Sequence, residues 1–91
     1  MEYKVYLIEK NHSMCNGTLV DVWCSNDMKY QLPVAGQSIW YKNNYYKVSD
    51  VIQHYDEETN ELLFIVILNE CYGQTECVKK ILDNIKNGNL S

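Results

Sequence analysis

One histidine and four carboxylates lie within eight residues of each other: His54, Asp56, Glu57, Glu58 and Glu61. Imidazole and carboxylate groups serve as ligands of divalent metals and as general acids and bases. His54 and Asp56 would point the same way on a strand, whereas the glutamates fall in turn-forming sequence. None of the H-x-H, H-x-x-x-H or H-E-x-x-H spacings is present. We therefore predict a polar turn between two strands, with a metal-dependent hydrolase using His54 and Asp56 as the weaker alternative.

The four cysteines, Cys15, Cys24, Cys71 and Cys77, form no tight pair. Zinc knuckles place about two to four residues between paired cysteines, so that one turn offers two thiolates. Cys15 and Cys24 are nine positions apart, and Cys71 and Cys77 are six apart. We expect reduced, buried, small apolar thiols, with a four-thiolate zinc site as an open alternative. His12 could act as a base for Cys15, but no third group orients them, and we expect two exposed loop residues.

Aromatic residues are concentrated in the sequence WYKNNYY, Trp40–Tyr46. The core of so short a chain cannot take all of them, so some are expected on the surface. Tyrosine and tryptophan suit binding surfaces because they bury large area at low entropic cost. Base stacking and simple cross-strand pairing are the alternatives. We predict a binding surface formed by this aromatic hairpin and the acidic turn after it: Trp40, Tyr41, Asn43, Asn44, Tyr45, Tyr46, Tyr55, Asp56, Glu57 and Glu58.

Charge and composition restrict the partners. All eight basic residues are lysines, and the net charge is -4. Without arginine the chain lacks the side chain best suited to bidentate recognition of phosphate and guanine. Nucleic acid is therefore not expected as a partner, and four net charges are too few for a DNA mimic. We predict no cofactor.

The first ten residues lack the basic and apolar regions of a signal peptide. The longest apolar run, Leu62–Leu68, is too short to cross a bilayer as a helix. We expect a cytoplasmic protein without membrane contact, in the host cytoplasm if a phage encodes it. Its length predicts a single domain over residues 1–91.

Five strands are predicted from β-branched, aromatic and alternating patterns. They lie at Glu2–Lys10, Thr18–Cys24, Ser38–Tyr41, Tyr45–Tyr55 and Glu61–Glu70. Val48 and Val51 have opposite parity in the fourth strand, which indicates a bulge near Ser49 and Asp50 or burial of both faces. Pro33 and Gly36 predict a sharp turn in the long connection before the third strand.

A C-terminal helix is predicted from Val78, Ile81, Leu82 and Ile85, which form an apolar stripe at helical spacing. We predict Thr75 as its N-cap, Glu76 near its positive end, Lys86 near its negative end and Gly88 at the C′ position. The resulting fold class is α+β, with a mainly antiparallel sheet of about five strands and one amphipathic helix. A bulge and a Pro-Gly corner could close the sheet into a small SH3-like barrel, with the helix over one opening or face.

The segment Leu32–Asp56, LPVAGQSIWYKNNYYKVSDVIQHYD, resembles small, mostly uncharacterised β-barrel-like proteins of phages and mobile elements. The shared features are a Leu-Pro entry, a Gly turn, a short strand, a hairpin and a strand of spaced valines ending in His. Membership would imply a compact accessory or host-interaction protein, and it would carry over no catalytic residue.

Together these patterns favour a non-enzymatic protein-binding module that acts through the aromatic hairpin. An anti-defence inhibitor that binds a host defence component is one form of such a module. The alternative is an oligomeric domain that binds and sequesters a small ligand or nucleotide. Apolar strand edges could also pair two copies of the chain, which would make the protein a homo-oligomer.

Overall fold

The computed structural model describes residues 2–10, 17–27 and 31–88. Five strands and one helix follow in chain order: β1 (Tyr3–Lys10), β2 (Gly17–Cys24), β3 (Ser38–Tyr41), β4 (Asn44–Asp56), β5 (Glu61–Glu70) and α1 (Tyr72–Lys86). A 3₁₀ turn at Ser25–Asp27 follows β2. The predicted α+β class is confirmed within these residues, as are the strands and the C-terminal helix. His12, Cys15 and Tyr30 lie outside the described residues.

The strands form one mixed sheet in the order β2-β1-β5-β4-β3. Three neighbouring pairs are antiparallel, as predicted, whereas β1 and β5 run parallel. Parallel neighbours need a long connection, and here the chain between them carries the other three strands. The strongly apolar β5 therefore lies at the centre of the sheet, where its hydrogen-bonding groups are paired on both sides.

The core lies on the inner face of the curled sheet. Register places Leu7 opposite Val66, and Val48 opposite Leu68, with their side chains on that face. The buried side chains are Val5, Leu7, Tyr46, Val48, Val66 and Leu68. Partly buried side chains of the strands, among them Trp23 and Tyr41 from the two edges, pack against this core, so the curl of the sheet helps to enclose it.

A bulge in β4 bends the sheet where the sequence predicted it. The β4–β5 register shifts between Val48 and Asp50, which returns Val51 to the inner face. The Pro-Gly turn comes one residue later than predicted, because Gln37 N–H donates to Val34 O at 3.0 Å. Gly36 N–H donates to Val48 O, and Val48 N–H donates to Gln37 O, both at 2.8 Å. The turn is thus bonded directly to the bulge.

The two edge strands approach each other through side chains. Trp23 on β2 and Tyr41 on β3 make an edge-to-face contact with ring centroids 5.4 Å apart. The Trp23 indole N–H donates to the Tyr41 hydroxyl at 3.2 Å, and that hydroxyl donates to Asp21. The Lys42 ammonium nitrogen lies 3.6 Å from the Asp21 carboxylate. We call Asp21, Trp23, Tyr41 and Lys42 the edge clasp. It joins the two edges of the curled sheet, which has the shape of a half-barrel.

The helix begins earlier than predicted. It starts at Tyr72 with Cys71 as the N-cap residue, so Thr75 lies inside it and donates its hydroxyl to Cys71 O at 3.3 Å. Glu76 consequently lies beyond the first turn. The cause is that Cys71 N–H donates to Tyr45 O at 3.0 Å, which carries the chain from β5 straight into α1. At the other end, Gly88 has a φ of 72°, as predicted for a C′ glycine.

The helix packs mainly against β4, and the six core side chains named above all come from the strands. Val78 and Leu82 are half-buried, whereas Ile81 and Ile85 are 46% and 57% exposed. The helix therefore covers less of the sheet than predicted, and one edge of its apolar stripe faces outward.

Candidate functional site

The β3–β4 hairpin turns through Lys42 and Asn43, which have φ angles of 50° and 64°. Two consecutive positive φ values define the tight type of hairpin turn that matches the twist of the strands, and asparagine tolerates this conformation well. Lysine tolerates it less well, but the Lys42 ammonium group donates to Val20 O at 3.3 Å. The contact ties the turn to β2 and leaves Tyr41 opposite Asn44.

This register divides the aromatic residues between the two faces of the hairpin. Ile39 pairs with Tyr46, and Trp40 pairs with Tyr45. Tyr46 is buried in the core, so its prediction as a binding residue is wrong. Tyr41 faces inward as part of the edge clasp, and the Asn44 amide donates to the Tyr46 hydroxyl at 3.4 Å. Because side chains alternate along a strand, Tyr41 and Tyr46 lie on the inner face and cannot share a surface with Trp40 and Tyr45.

Trp40 and Tyr45 form the outward side of the hairpin. They are directly opposite each other and partly exposed. The Tyr45 hydroxyl donates to the Ser38 hydroxyl at 2.9 Å, which holds the ring in place. Exposed Lys42 and Asn43 border them at the turn. We call Trp40, Asn43 and Tyr45 the hairpin face.

The predicted acidic part of the site lies elsewhere. Tyr55 and Asp56 end β4, and Glu57 and Glu58 lie in the turn to β5. At about 3.3 Å per residue, the ten residues from Tyr45 to Tyr55 span about 33 Å. The prediction of one continuous site was wrong because the intervening residues form an extended strand. We call Asp56, Glu57, Glu58 and Glu61 the acidic tip.

Hydrogen bonds order the turn that carries the acidic tip. The Asp56 carboxylate accepts the Glu58 N–H at 2.9 Å. The Tyr55 hydroxyl donates to the Asn60 side chain at 2.8 Å, and Asn60 has a φ of 57°. These are local turn contacts, as predicted for a polar connection between strands.

His54 and Asp56 have the same strand parity, as predicted, and His54 is exposed. Among residues 2–10, 17–27 and 31–88, no group of three or more His, Cys, Asp or Glu side chains is placed to hold a metal ion. The expectation of buried thiols is wrong for Cys24 and Cys77, which are exposed; Cys71 is partly buried. These three cysteines form no disulfide with each other.

A groove of about 570 Å³ lies at the end of the sheet near the acidic tip. Its lining is Glu2, Tyr3, Lys4, Cys24, Ser25, Asn26, Asp27, Asn60, Glu61, Leu62 and Leu63. The wall is held by a hydrogen bond from Tyr3 N–H to Ser25 Oγ at 3.0 Å, and by another from the Asn26 amide to Glu2 at 2.8 Å. The sequence did not reveal this groove because it depends on the parallel pairing of β1 and β5.

The edge clasp also shifts the pKa of one of its own groups. The hydrogen bond from Tyr41 lowers the pKa of the Asp21 carboxyl below its usual range. Partial desolvation raises it, while the Val22 N–H and the Lys42 ammonium group add to the lowering. Asp21 therefore remains ionised and able to accept these bonds at neutral pH.

No known protein family matches this chain, and neither a curated protein nor a solved structure matches it significantly. Within the described ranges, α1 and the 3₁₀ turn are not long and apolar enough to span a membrane.

Replacing Tyr41 with Phe removes the hydroxyl that bonds Asp21. Since the folded-state pKa of Asp21 is depressed, its contribution to stability is present above the unfolded pKa of about 3.9 and is lost as the pH falls through the folded value. Tyr41→Phe should lower the free energy of unfolding by about 1 kcal/mol at pH 7. The difference from the wild type should narrow below about pH 4, as measured by urea denaturation.

Tyr55→Phe is the matched control because it removes an exposed tyrosine hydroxyl that bonds a neutral amide. Its effect should be small and independent of pH. An unchanged Tyr41→Phe difference from pH 7 down to about pH 3 would contradict the assignment of the Asp21–Tyr41 bond.

Proposed function

We propose that this chain is a non-enzymatic protein-binding module that docks through the hairpin face. The observation that supports this most strongly is the outward Trp40–Tyr45 pair on a hairpin whose inner side is tied to β2. Tryptophan and tyrosine are enriched among residues that dominate binding energy, because they bury large area and keep a polar group. A surface of this kind fits a protein partner with a shallow apolar pocket.

Rigidity is the second argument for the hairpin face. Binding is weakened by the entropy lost when flexible groups become ordered. Here the turn is anchored by Lys42, and the Tyr45 ring is held by Ser38, so little further ordering is needed. The edge clasp thus serves binding indirectly by fixing the hairpin before a partner arrives.

The acidic tip acts at a distance in this proposal. It lies about 33 Å from the aromatic pair along β4, so it reaches the same partner only if that partner is elongated. For a smaller partner with a basic surface, its carboxylates accelerate approach and favour one orientation without forming the main contact. Mutations there should change the rate of association more than the rate of dissociation.

We extend the proposal to a biological setting through the resemblance of Leu32–Asp56 to proteins of phages and mobile elements. The module would then be an accessory protein in the host cytoplasm, and anti-defence inhibition of a host component is one use. We also propose that the fold is SH3-like. The edge clasp joins the two edges of the half-barrel and the bulge bends β4, and both features favour closure into a small barrel.

The combined variant Trp40→Ala/Tyr45→Ala tests the hairpin face by affinity capture from a cell lysate of the source organism or its host. Tyr55→Ala is the matched control, because Tyr55 is 45% exposed and lies at the far end of β4. We expect the hairpin variant to lose its bound protein by at least about tenfold, while the control retains it. Circular dichroism checks that both variants are folded. The same captured proteins at the same level with the hairpin variant would contradict the proposal.

A second candidate function is small-ligand binding, which the groove favours. Its volume is within the range of ligand pockets. Glu2, Asp27 and Glu61 outnumber Lys4 among its charged lining residues, so it suits a cationic ligand better than a nucleotide phosphate.

Thermal denaturation with a panel of nucleotides and polyamines tests this candidate. A polyamine such as spermidine should raise the melting temperature, and Glu2→Gln/Glu61→Gln should reduce the increase. Nucleotides should have no effect, because the groove is acidic. An unchanged melting temperature with every compound would remove the groove as a ligand site, and a shift with nucleotides alone would contradict its assigned charge preference.

A further inference from the structure

The outer face of the sheet carries apolar side chains across four strands. Register aligns the apolar residues Ile52, Ile65, Tyr6 and Val22 in one row, and Ile67 with Ile8 in the next, where the charged Asp50 pairs with Ile67 at the β4 end of the row. These six apolar residues, which we call the outer apolar face, are all partly or fully exposed, and Ile52 is 44% exposed. Contiguous apolar surface of this kind is uncommon on a monomer and marks an interaction site.

The helix presents a second uncovered apolar edge. Ile81 and Ile85 lie one turn apart and are both exposed, whereas Val78 and Leu82 on the neighbouring side are half-buried. An isolated helix of about 15 residues is only marginally stable in water and depends on packing of its apolar side. The packing against β4 uses one edge of the stripe and leaves the other available.

The whole chain exposes more surface than a compact monomer of its mass. Its accessible surface is 6731 Å², whereas a compact monomer of this mass exposes about 5,500 Å². Its radius of gyration is 15.2 Å, compared with about 12 Å for a compact domain of this length. The excess of about 1,200 Å² is more than the roughly 800 Å² that each partner buries in a stable complex.

Charge indicates what could cover these surfaces. Helix α1 carries Lys79, Lys80 and Lys86 against Glu76 and Asp83, so it is net positive. The far end of β4 and its turn carry the acidic tip. In a two-fold arrangement each copy would bring its basic helix to the acidic end of the other, so that the favourable contact forms twice.

We propose that a second copy of this chain covers the outer apolar face and the Ile81–Ile85 edge of α1, so that the protein is a symmetric homodimer. A copy of the same chain is present whenever the protein is, and it supplies both complementary surfaces. This inference goes beyond the proposed function. The Lys47–Asn69 pair, which is polar, separates the outer apolar face from the hairpin face on the same side of the sheet. The hairpin face therefore remains available to a different protein.

Sedimentation velocity of the full chain under reducing conditions tests the dimer, since reductant removes any contribution from the exposed cysteines. The expected mass is twice the 10.7 kDa of one chain. Ile52→Lys and Ile85→Lys, on the sheet and helix separately, should each weaken dimerisation by more than about tenfold, because a charged side chain would replace an apolar one that the interface buries. Val34→Lys is the control, since Val34 is 65% exposed and lies on neither surface.

A monomeric wild-type protein at about 100 µM would overturn the proposal whatever the variants do. A dimer that persists in both folded isoleucine variants would overturn the assigned surfaces. If one variant does not fold, the other still tests its own surface. Trp40→Ala/Tyr45→Ala should remain dimeric, which distinguishes failure of the dimer from failure of the hairpin face.

Discussion

The edge clasp is the interaction on which the rest of this structure depends. β2 and β3 are the two edges of the sheet, and the side chains of the clasp join them. The Tyr41 hydroxyl accepts from Trp23 and donates to Asp21, so one group joins the aromatic contact to the carboxylate. Lys42 adds its charge beside Asp21 and a hydrogen bond to Val20 O. The polar groups are satisfied at the rim, and apolar side chains fill the space below.

The clasp also determines which aromatic residues lie on the outer face of the hairpin. Once Tyr41 faces Trp23, strand alternation puts Trp40 on the opposite side of β3, and the two-residue turn places Tyr45 beside it. The same register carries Tyr46 into the core. Stability and binding therefore use alternate residues of one short sequence, and the inner set holds the outer set in position. The outer apolar face begins beyond Lys47 and Asn69, which allows one side of the sheet to serve two partners.

Local features of this fold could be predicted from the sequence, because they depend on neighbouring residues. The bulge after Val48 is one of the two alternatives that follow from parity, and the end of α1 follows from Gly88. Features that depend on distant residues could not. The parallel pairing of β1 with β5, and the groove it creates, require knowledge of strand order. The separation of the hairpin face from the acidic tip was missed because nearness in sequence was taken for nearness in space.

The most direct test of the edge clasp is a nuclear Overhauser spectrum of the wild-type protein. Trp23 and Tyr41 are 18 residues apart and lie on opposite edges of the sheet. If the clasp closes the sheet, cross-peaks will connect the indole ring protons of Trp23 with the ring protons of Tyr41, since the ring centroids are 5.4 Å apart. Cross-peaks across the β1–β2 and β3–β4 pairs together with none between these two rings would mean that the sheet is open, and would contradict the clasp.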